Sequence, residues 1–276
     1  MSLSFLTKDS LLVAPWSNSK INTLEQCPYK FEKQYVDKLR ERDIPNHLKA
    51  NVDKSALKYG TSLHRVSELV SSGTDINEAI DKTAKEEKLT RSEKRDLVSG
   101  KKSIQTFEDR MSAFKEKYSI GEDATEYELA LDNILQPARY YSKKAALRGK
   151  LDRLLITEDE RTAIIIDLKT SKRATLDYAG GQLDFYNTLV FGNYPKITSI
   201  RSALYFTKLG EILWAPSVKR ETYSMEEDNA VIMRINSAVK EFVDSEVAKI
   251  NVQTLCNWCV YKEVCKKERA KRRSLK

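Results

Sequence analysis

The sequence predicts an α/β fold in which a run of strands in the middle of the chain is enclosed by helices from both ends. Three observations predict it. Apolar residues recur at helical spacing through Phe114, alternating and β-branched patterns take over from Glu126, and a long helical pattern returns near Met225. Ile21, Leu24, Tyr29, Phe31 and Tyr35 give the first helix, with Ser19 as its N-cap, and a polar stretch follows to Lys58. Leu63, Val66 and Val70 share one face of a helix that begins near Tyr59. The charged region from Asp75 to Gly100 is read as a small helical hairpin, and Ile104, Phe107, Met111 and Phe114 mark another helix.

Strands are expected at Glu126–Leu135, Leu147–Ile156 and Ala163–Lys169. After a Gly180-Gly181 break comes a helix at Gln182–Phe191, then a strand at Ile200–Thr207 with a partner at Glu211–Ala215. A long helix from Met225 to Lys249 leads into a cysteine-rich end. There is no internal repeat and no low-complexity segment.

Composition narrows the class. Of 276 residues, 41% are hydrophobic and 32% charged, and no apolar run reaches the roughly 20 residues that span a bilayer. The start, MSLSFLTKDSLLVAPW, lacks a basic region followed by a long apolar one, so an intracellular protein is expected. The net charge of +8 fits a polyanionic partner but is diffuse. Only the tail CKKERAKRRSLK concentrates it, with seven of twelve residues Lys or Arg, and a solvated terminus explains that as well as a binding role. No G-x-x-x-x-G-K-[ST] loop is present, so no ATP-driven motor is encoded.

The main chemical signal is Gly149-Lys150-Leu151-Asp152, followed fifteen residues later by Asp167-Leu168-Lys169-Thr170. Residues i and i+2 of a strand share a face, so Asp167 and Lys169 project together, and a hairpin can bring Asp152 beside them. Converging carboxylates form a hard-oxygen site for Mg²⁺ or Mn²⁺, and a lysine beside it can stabilise a transition state. An acid-x-Lys triplet alone is more often a surface ion pair, as Glu86-Glu87-Lys88 illustrates. Strand context and the order of the other motifs set this one apart.

That order resembles the RecB-like branch of the PD-(D/E)XK nucleases, over most of residues 17–190. The branch carries a histidine, a glutamate, G-x-x-D, D-x-K-T and Q-x-x-x-Y. These fall here at Gly60-Thr61-Ser62-Leu63-His64, at Glu126, at Gly149–Asp152, at Asp167–Thr170 and at Gln182–Tyr186. Glu128, on the same strand face, is an alternative to Glu126, and His47 has no such context. The resemblance implies a restriction-endonuclease-like core with a small mixed sheet, and a metal held by His64, Asp152, Asp167 and the Leu168 backbone carbonyl. Glu126, Asp152, Asp167, Lys169, Gln182 and Tyr186 would be the active-site residues, with Gln182 and Tyr186 approaching the DNA or the active site.

Cys27, Cys256, Cys259 and Cys265 are the only cysteines. An intracellular chain disfavours two disulfides, while zinc is a standing alternative for a four-cysteine set. A lone Cys-Pro upstream and a C-terminal C-x2-C-x5-C resemble the [4Fe–4S] arrangement of AddB-type recombination nucleases and CRISPR-associated adaptation nucleases. Such a clamp would join the N- and C-terminal helical segments. Treated as a cross-link, closing a loop of over two hundred residues is worth about 5 kcal/mol.

The expected organisation is one nuclease domain over 1–276. Segments 17–58 and 250–276 bear the cluster, 59–120 is a helical insertion and 121–220 the catalytic sheet core. By the same resemblance, the expected function is a DNA exonuclease of replication, recombination or repair, of phage type, in the cytoplasm of a bacterial or phage-infected cell. A preference for ends and single strands is expected from the basic tail and from helices that could roof the site. Any helicase, recombinase or single-strand-binding partner would be a separate chain, and no membrane is involved. Two other readings remain: a catalytically silent iron–sulfur DNA-binding or scaffold protein, which would tend to lose one of Asp152, Asp167 and Lys169, and an endonuclease of the same family.

Overall fold

The computed structural model of the chain describes residues 4–179 and 181–274. Its elements run α1 (Lys8–Leu12), α2 (Asn18–Gln26), α3 (Pro28–Phe31), α4 (Ser55–Ser71), α5 (Ile76–Glu86), α6 (Arg91–Ser99), α7 (Lys101–Tyr118), β1 (Ile120–Leu131), β2 (Leu147–Thr157), β3 (Thr162–Lys169), α8 (Gln182–Asn193), β4 (Ser199–Phe206), β5 (Glu211–Trp214), β6 (Val218–Lys219), α9 (Ala230–Val243) and α10 (Lys262–Ser274). The sheet order is β1-β2-β3-β4-β5, with β6 also on β4. Among the described strands β3 and β4 pair in parallel and the other pairs are antiparallel. This is the expected mixed sheet flanked by helices.

Burial follows from that order. β3 lies between β2 and β4, and Ala163–Leu168 is buried throughout, which is why its sequence is a β-branched run rather than an alternation. A parallel pair needs a crossover, and α8 supplies it, buried along nearly its whole length. On one face of the sheet Leu154, Ile156, Ile165 and Ile200 pack with Leu189 of α8, Ile232 and Ile235 of α9, and Ile21 and Leu24 of α2. On the other, Leu155, Ile164, Ile166 and Tyr205 pack with Phe107 and Met111 of α7. Helices α4, α5 and α6 make a cluster of their own around Leu63, Val66, Ile80 and Leu97. The two ends of the chain meet: Asn236 on α9 accepts from Thr7 N and Ser10 Oγ, and Arg234 binds Glu25, Asn18 and Asn22. No helix among the described residues is long and apolar enough to cross a membrane.

Several boundaries differ from the sequence expectation, each for a local reason. The first helix is capped by Ser17, not Ser19, and it breaks at Cys27, where φ is −158° and ψ 95°. Pro28 forbids Cys27 the helical region, and the chain restarts as α3. α4 starts at Ser55, whose N–H is taken by the Asp53 carboxylate. β1 begins earlier, at Ile120, and stops at Leu131 because Asp132 accepts the N–H groups of Ile134 and Gln136 and turns the chain. Asn229 accepts from Val231 N and Ile232 N, so α9 starts there and not at Met225, and it ends at Val243. Of the Gly180-Gly181 break, Gly180 lies outside the described residues, while Gly181 has φ 74° ahead of α8. At the tail, Leu275 and Lys276 lie outside them too.

Candidate active site

The site forms where α4 crosses the strands. His64 projects from α4 with Nδ1 3.2 Å from Asp152 Oδ1 on β2 and 3.5 Å from Glu126 Oε1 on β1. These three side chains offer ligand atoms that all lie within 4.8 Å of one another. Glu126 reaches the group through its backbone. It stands opposite Asp152 where the ladder skips a pair, and its φ is +49°, a left-handed conformation that side-chain-bearing residues seldom adopt. Glu128 is held instead by the Tyr141 hydroxyl at 3.1 Å. His47 is exposed in a 3-10 turn.

Asp152 is fixed from behind, since Leu168 N–H donates to its Oδ2 at 2.7 Å. Leu168 thus meets the site through its N–H; its carbonyl stays an expected ligand. Asp167, expected among the ligands, is 2% exposed and engaged elsewhere. Gln182 Nε2 donates to its Oδ1 at 2.7 Å, and Lys169 Nζ stands 2.7 Å from Oδ2 without the alignment of a hydrogen bond. Lys169 Nζ donates to Gln182 Oε1 at 2.6 Å. Gln182 Nε2 also meets the Tyr186 hydroxyl at 2.8 Å, and that hydroxyl donates to the Lys150 carbonyl at 3.0 Å. Gln182 and Tyr186 face the active site from one turn of α8, with Tyr186 buried.

The electrostatics suit a cation. Burial pushes the Asp167 carboxyl up to about 6, and the neighbouring Asp152 adds to the rise. Burial disfavours charge on His64, yet hydrogen bonds to Asp152 and Glu126 prevail and lift its pKa to about 10. Burial also opposes charge on Glu126, but hydrogen bonds from His64 and Lys150 hold it below the usual range. Tyr186 is pushed well above the phenol range by burial and by Asp167, so its hydroxyl keeps its proton. Without metal, then, an imidazolium shares its proton with two carboxylates, and cation binding must displace that proton. One nitrogen and two carboxylate oxygens form a donor set suited to Mn²⁺ as well as Mg²⁺.

Charged side chains behind the site form a network that no sequence motif marks. Arg153, 2% exposed, donates to Asp123 Oδ2 at 2.8 Å and approaches Glu108 at 3.4 Å. Glu108 on α7 in turn accepts from Ser67, one turn beyond His64 on α4, at 3.3 Å. This network ties the His64 helix to the sheet. Its partners are distant in sequence, and an arginine inside a strand gives no sign of them.

The four cysteines are half-buried thiols at the packed ends. Gln26 O, beside Cys27, accepts from Asn251 and Gln253, and Tyr29 N–H donates to Lys249 O. Burial raises the Cys259 and Cys265 thiols, and neighbouring thiols, Cys27 and Cys256 among them, add to the rise. Among the described residues, however, no three sulfurs come within 4.8 Å of one another. The expected joining of the ends is made by backbone and side-chain hydrogen bonds.

No curated protein matches the chain. The crystal structure of SSO0001 matches with a TM-score of 0.34 and 14% identity, over 79% of this chain and 89% of that one, a likeness too distant to bear on the site. The sequence profile of the PD-(D/E)XK nuclease superfamily matches residues 15–266. With a match over that length, the chain belongs to the PD-(D/E)XK nuclease superfamily.

Proposed function

We propose that this protein is a metal-dependent DNA exonuclease that prefers single strands or ends. The observation that carries the reading is the convergence of His64, Glu126 and Asp152 beside the Asp167–Lys169–Gln182 chain. A divalent cation held by His64, Glu126 and Asp152, and by Asp167 or the Leu168 carbonyl if these turn toward it, would lower the pKa of a bound water and neutralise charge on a phosphate. Lys169 then places an ammonium where charge develops on the scissile phosphate. Gln182 holds Lys169 and Asp167 in register. Tyr186, kept protonated, fixes Gln182 by anchoring it to the Lys150 carbonyl.

The position of α4 over the strands supports the proposed end requirement. His64 contacts both β-strand carboxylates from that helix, and a hollow of about 480 Å³ lined by α4, Glu126 and Lys150 adjoins the site, wide enough for a single strand. We propose also that the chain acts as one domain, with 59–120 an insertion, and that Cys27, Cys256, Cys259 and Cys265 carry a [4Fe–4S] cluster. Four thiolates suit iron–sulfur chemistry. A single zinc, at about 2.3 Å from each sulfur, would need them closer together than they stand. The exonuclease reading is tested with closed circular single-stranded DNA against a linear strand of equal length. Circles should resist, and circles cut as fast as linear strands would make the protein an endonuclease.

A further inference from the structure

The hollow beneath α4 does not end at the carboxylates. It adjoins a second, larger hollow of about 960 Å³, the two sharing Ala56 and Thr170 in their walls. Thr170 follows Lys169 directly, and α4 passes over it: a Cβ on Gly60 would lie 3.8 Å from Thr170 Oγ1. The floor of the second hollow is fixed to the site, because Thr207 donates through its N–H to the Lys169 carbonyl at 2.9 Å. Lys172 and Lys208 therefore stand at set positions just past the site.

The two halves of the groove differ in charge. On the His64 side lie Glu68 and Glu87, and the charge of Arg65 is spent on Glu68 and Glu86. The far half is lined by Lys102, Lys172 and Lys208 against the single carboxylate of Asp96. All three lysines are exposed, and none pairs with a carboxylate among the described residues. Lys208 lies over the Tyr59 ring, 4.9 Å from its centroid. Lys150 on the His64 side is paired with Glu126, so an anionic strand leaving the site meets cations already matched by carboxylates on one side and unpaired cations on the other.

We propose that this basic half-groove is the track for the substrate strand, with Lys102, Lys172 and Lys208 each neutralising one backbone phosphate beside the scissile bond. The proposal rests on the nuclease reading and gives it a direction: the strand runs from the catalytic carboxylates past Thr170 toward the turn between β4 and β5. Backbone contact of this kind is indifferent to sequence and strongly dependent on salt.

The test is anisotropy of a labelled oligothymidylate of about 15 nucleotides bound to the full chain at 50–300 mM salt, with no divalent cation added. Each phosphate contact on a single strand contributes about 0.7 to the slope of log affinity against log salt, so K102A/K172A/K208A should lower the slope by about 2. The matching arginine triple should keep it. Hydrolysis of bis(4-nitrophenyl) phosphate with Mn²⁺, a diester too small to use the track, should be the same in both triples as in the unaltered protein. An unchanged slope in the alanine triple, or loss of small-diester hydrolysis with it, overturns the track. An unaltered protein that cleaves the small diester but binds no oligonucleotide overturns the track and leaves the nuclease reading standing. One that cleaves neither substrate yet shows the slope loss supports the track and removes the nuclease reading.

Discussion

Two motif glycines should respond in opposite ways to the same substitution, and Gly149→Ala is the informative one. α8 presses on Gly149 so closely that a Cβ there would lie 2.7 Å from Leu189 Cδ1, 3.3 Å from Tyr186 Cε1 and 3.5 Å from Phe185 Cε1. Ordinary contact begins at 3.4 Å, so the helix must retreat by about 0.7 Å (3.4 − 2.7) or Leu189 must leave its rotamer. Overpacking of this size costs about 1–3 kcal/mol, which lowers Tm by several degrees in a chain of this length. The helix carries Gln182 and Tyr186, whose bonds to Lys169, Asp167 and the Lys150 carbonyl span only 2.6–3.0 Å. Displacement near 1 Å can cost about 100-fold in rate. Gly149→Ala should therefore fold, melt lower and lose one to two orders of magnitude in kcat, with oligonucleotide affinity unchanged. Gly60→Ala, whose Cβ meets only Thr170 Oγ1 at 3.8 Å, should keep activity and gain some helix stability, of order 0.5–1 kcal/mol. Thermal melts and single-turnover cleavage decide it. A Gly149→Ala protein with unaltered Tm and rate would refute the claim that close packing of α8 sets the catalytic register.

Arg153→Met takes the buried guanidinium from half-buried Glu108 and Asp123 and should cost about 3 kcal/mol in a denaturant titration, the lower end for a broken ion pair because Ser67 still donates to Glu108 and Lys115 still holds Asp123. A cost below about 1 kcal/mol would remove this network from the account. In metal-free protein the raised Asp167 pKa contributes stability that is full below its ordinary 3.8 and is lost as pH rises through about 6, at most about 3 kcal/mol. Asp167→Asn should abolish that loss between pH 4 and 6 in melts without divalent cation, and the same pH profile in wild type and variant would contradict it. Protein purified without oxygen should contain about four irons per chain, and Cys27→Ser should lower Tm as much as Cys259→Ser. Stoichiometric zinc without iron would replace the cluster.

Legibility in the sequence followed the range of the interactions involved. Asp167 and Lys169 share a strand face, and Gln182 and Tyr186 share a helix turn, so local periodicity alone put each pair together. The parallel β3–β4 pairing, by contrast, was not read from the sequence and appears only in the structure, where α8 provides its crossover. Choosing between Glu126 and Glu128 was beyond local pattern, because it depends on a left-handed residue and a skipped pair in the β1–β2 ladder. The break at Cys27 is readable from Pro28, but the apolar spacing from Ile21 to Tyr35 runs straight through it and masks it. The Ser67–Glu108–Arg153–Asp123 network joins residues from two helices and two strands. No single window of sequence contains it.

The central claim is that the carboxylate–lysine constellation cuts DNA with a divalent cation. It is tested most directly by incubating end-labelled single-stranded DNA with the protein and Mn²⁺, alongside Asp167→Ala and Lys169→Ala proteins shown by melting to be folded. The wild type should lose label only when the cation is present, and neither variant should lose any, while both variants still bind the strand. Cleavage by both variants at near wild-type rate would contradict it.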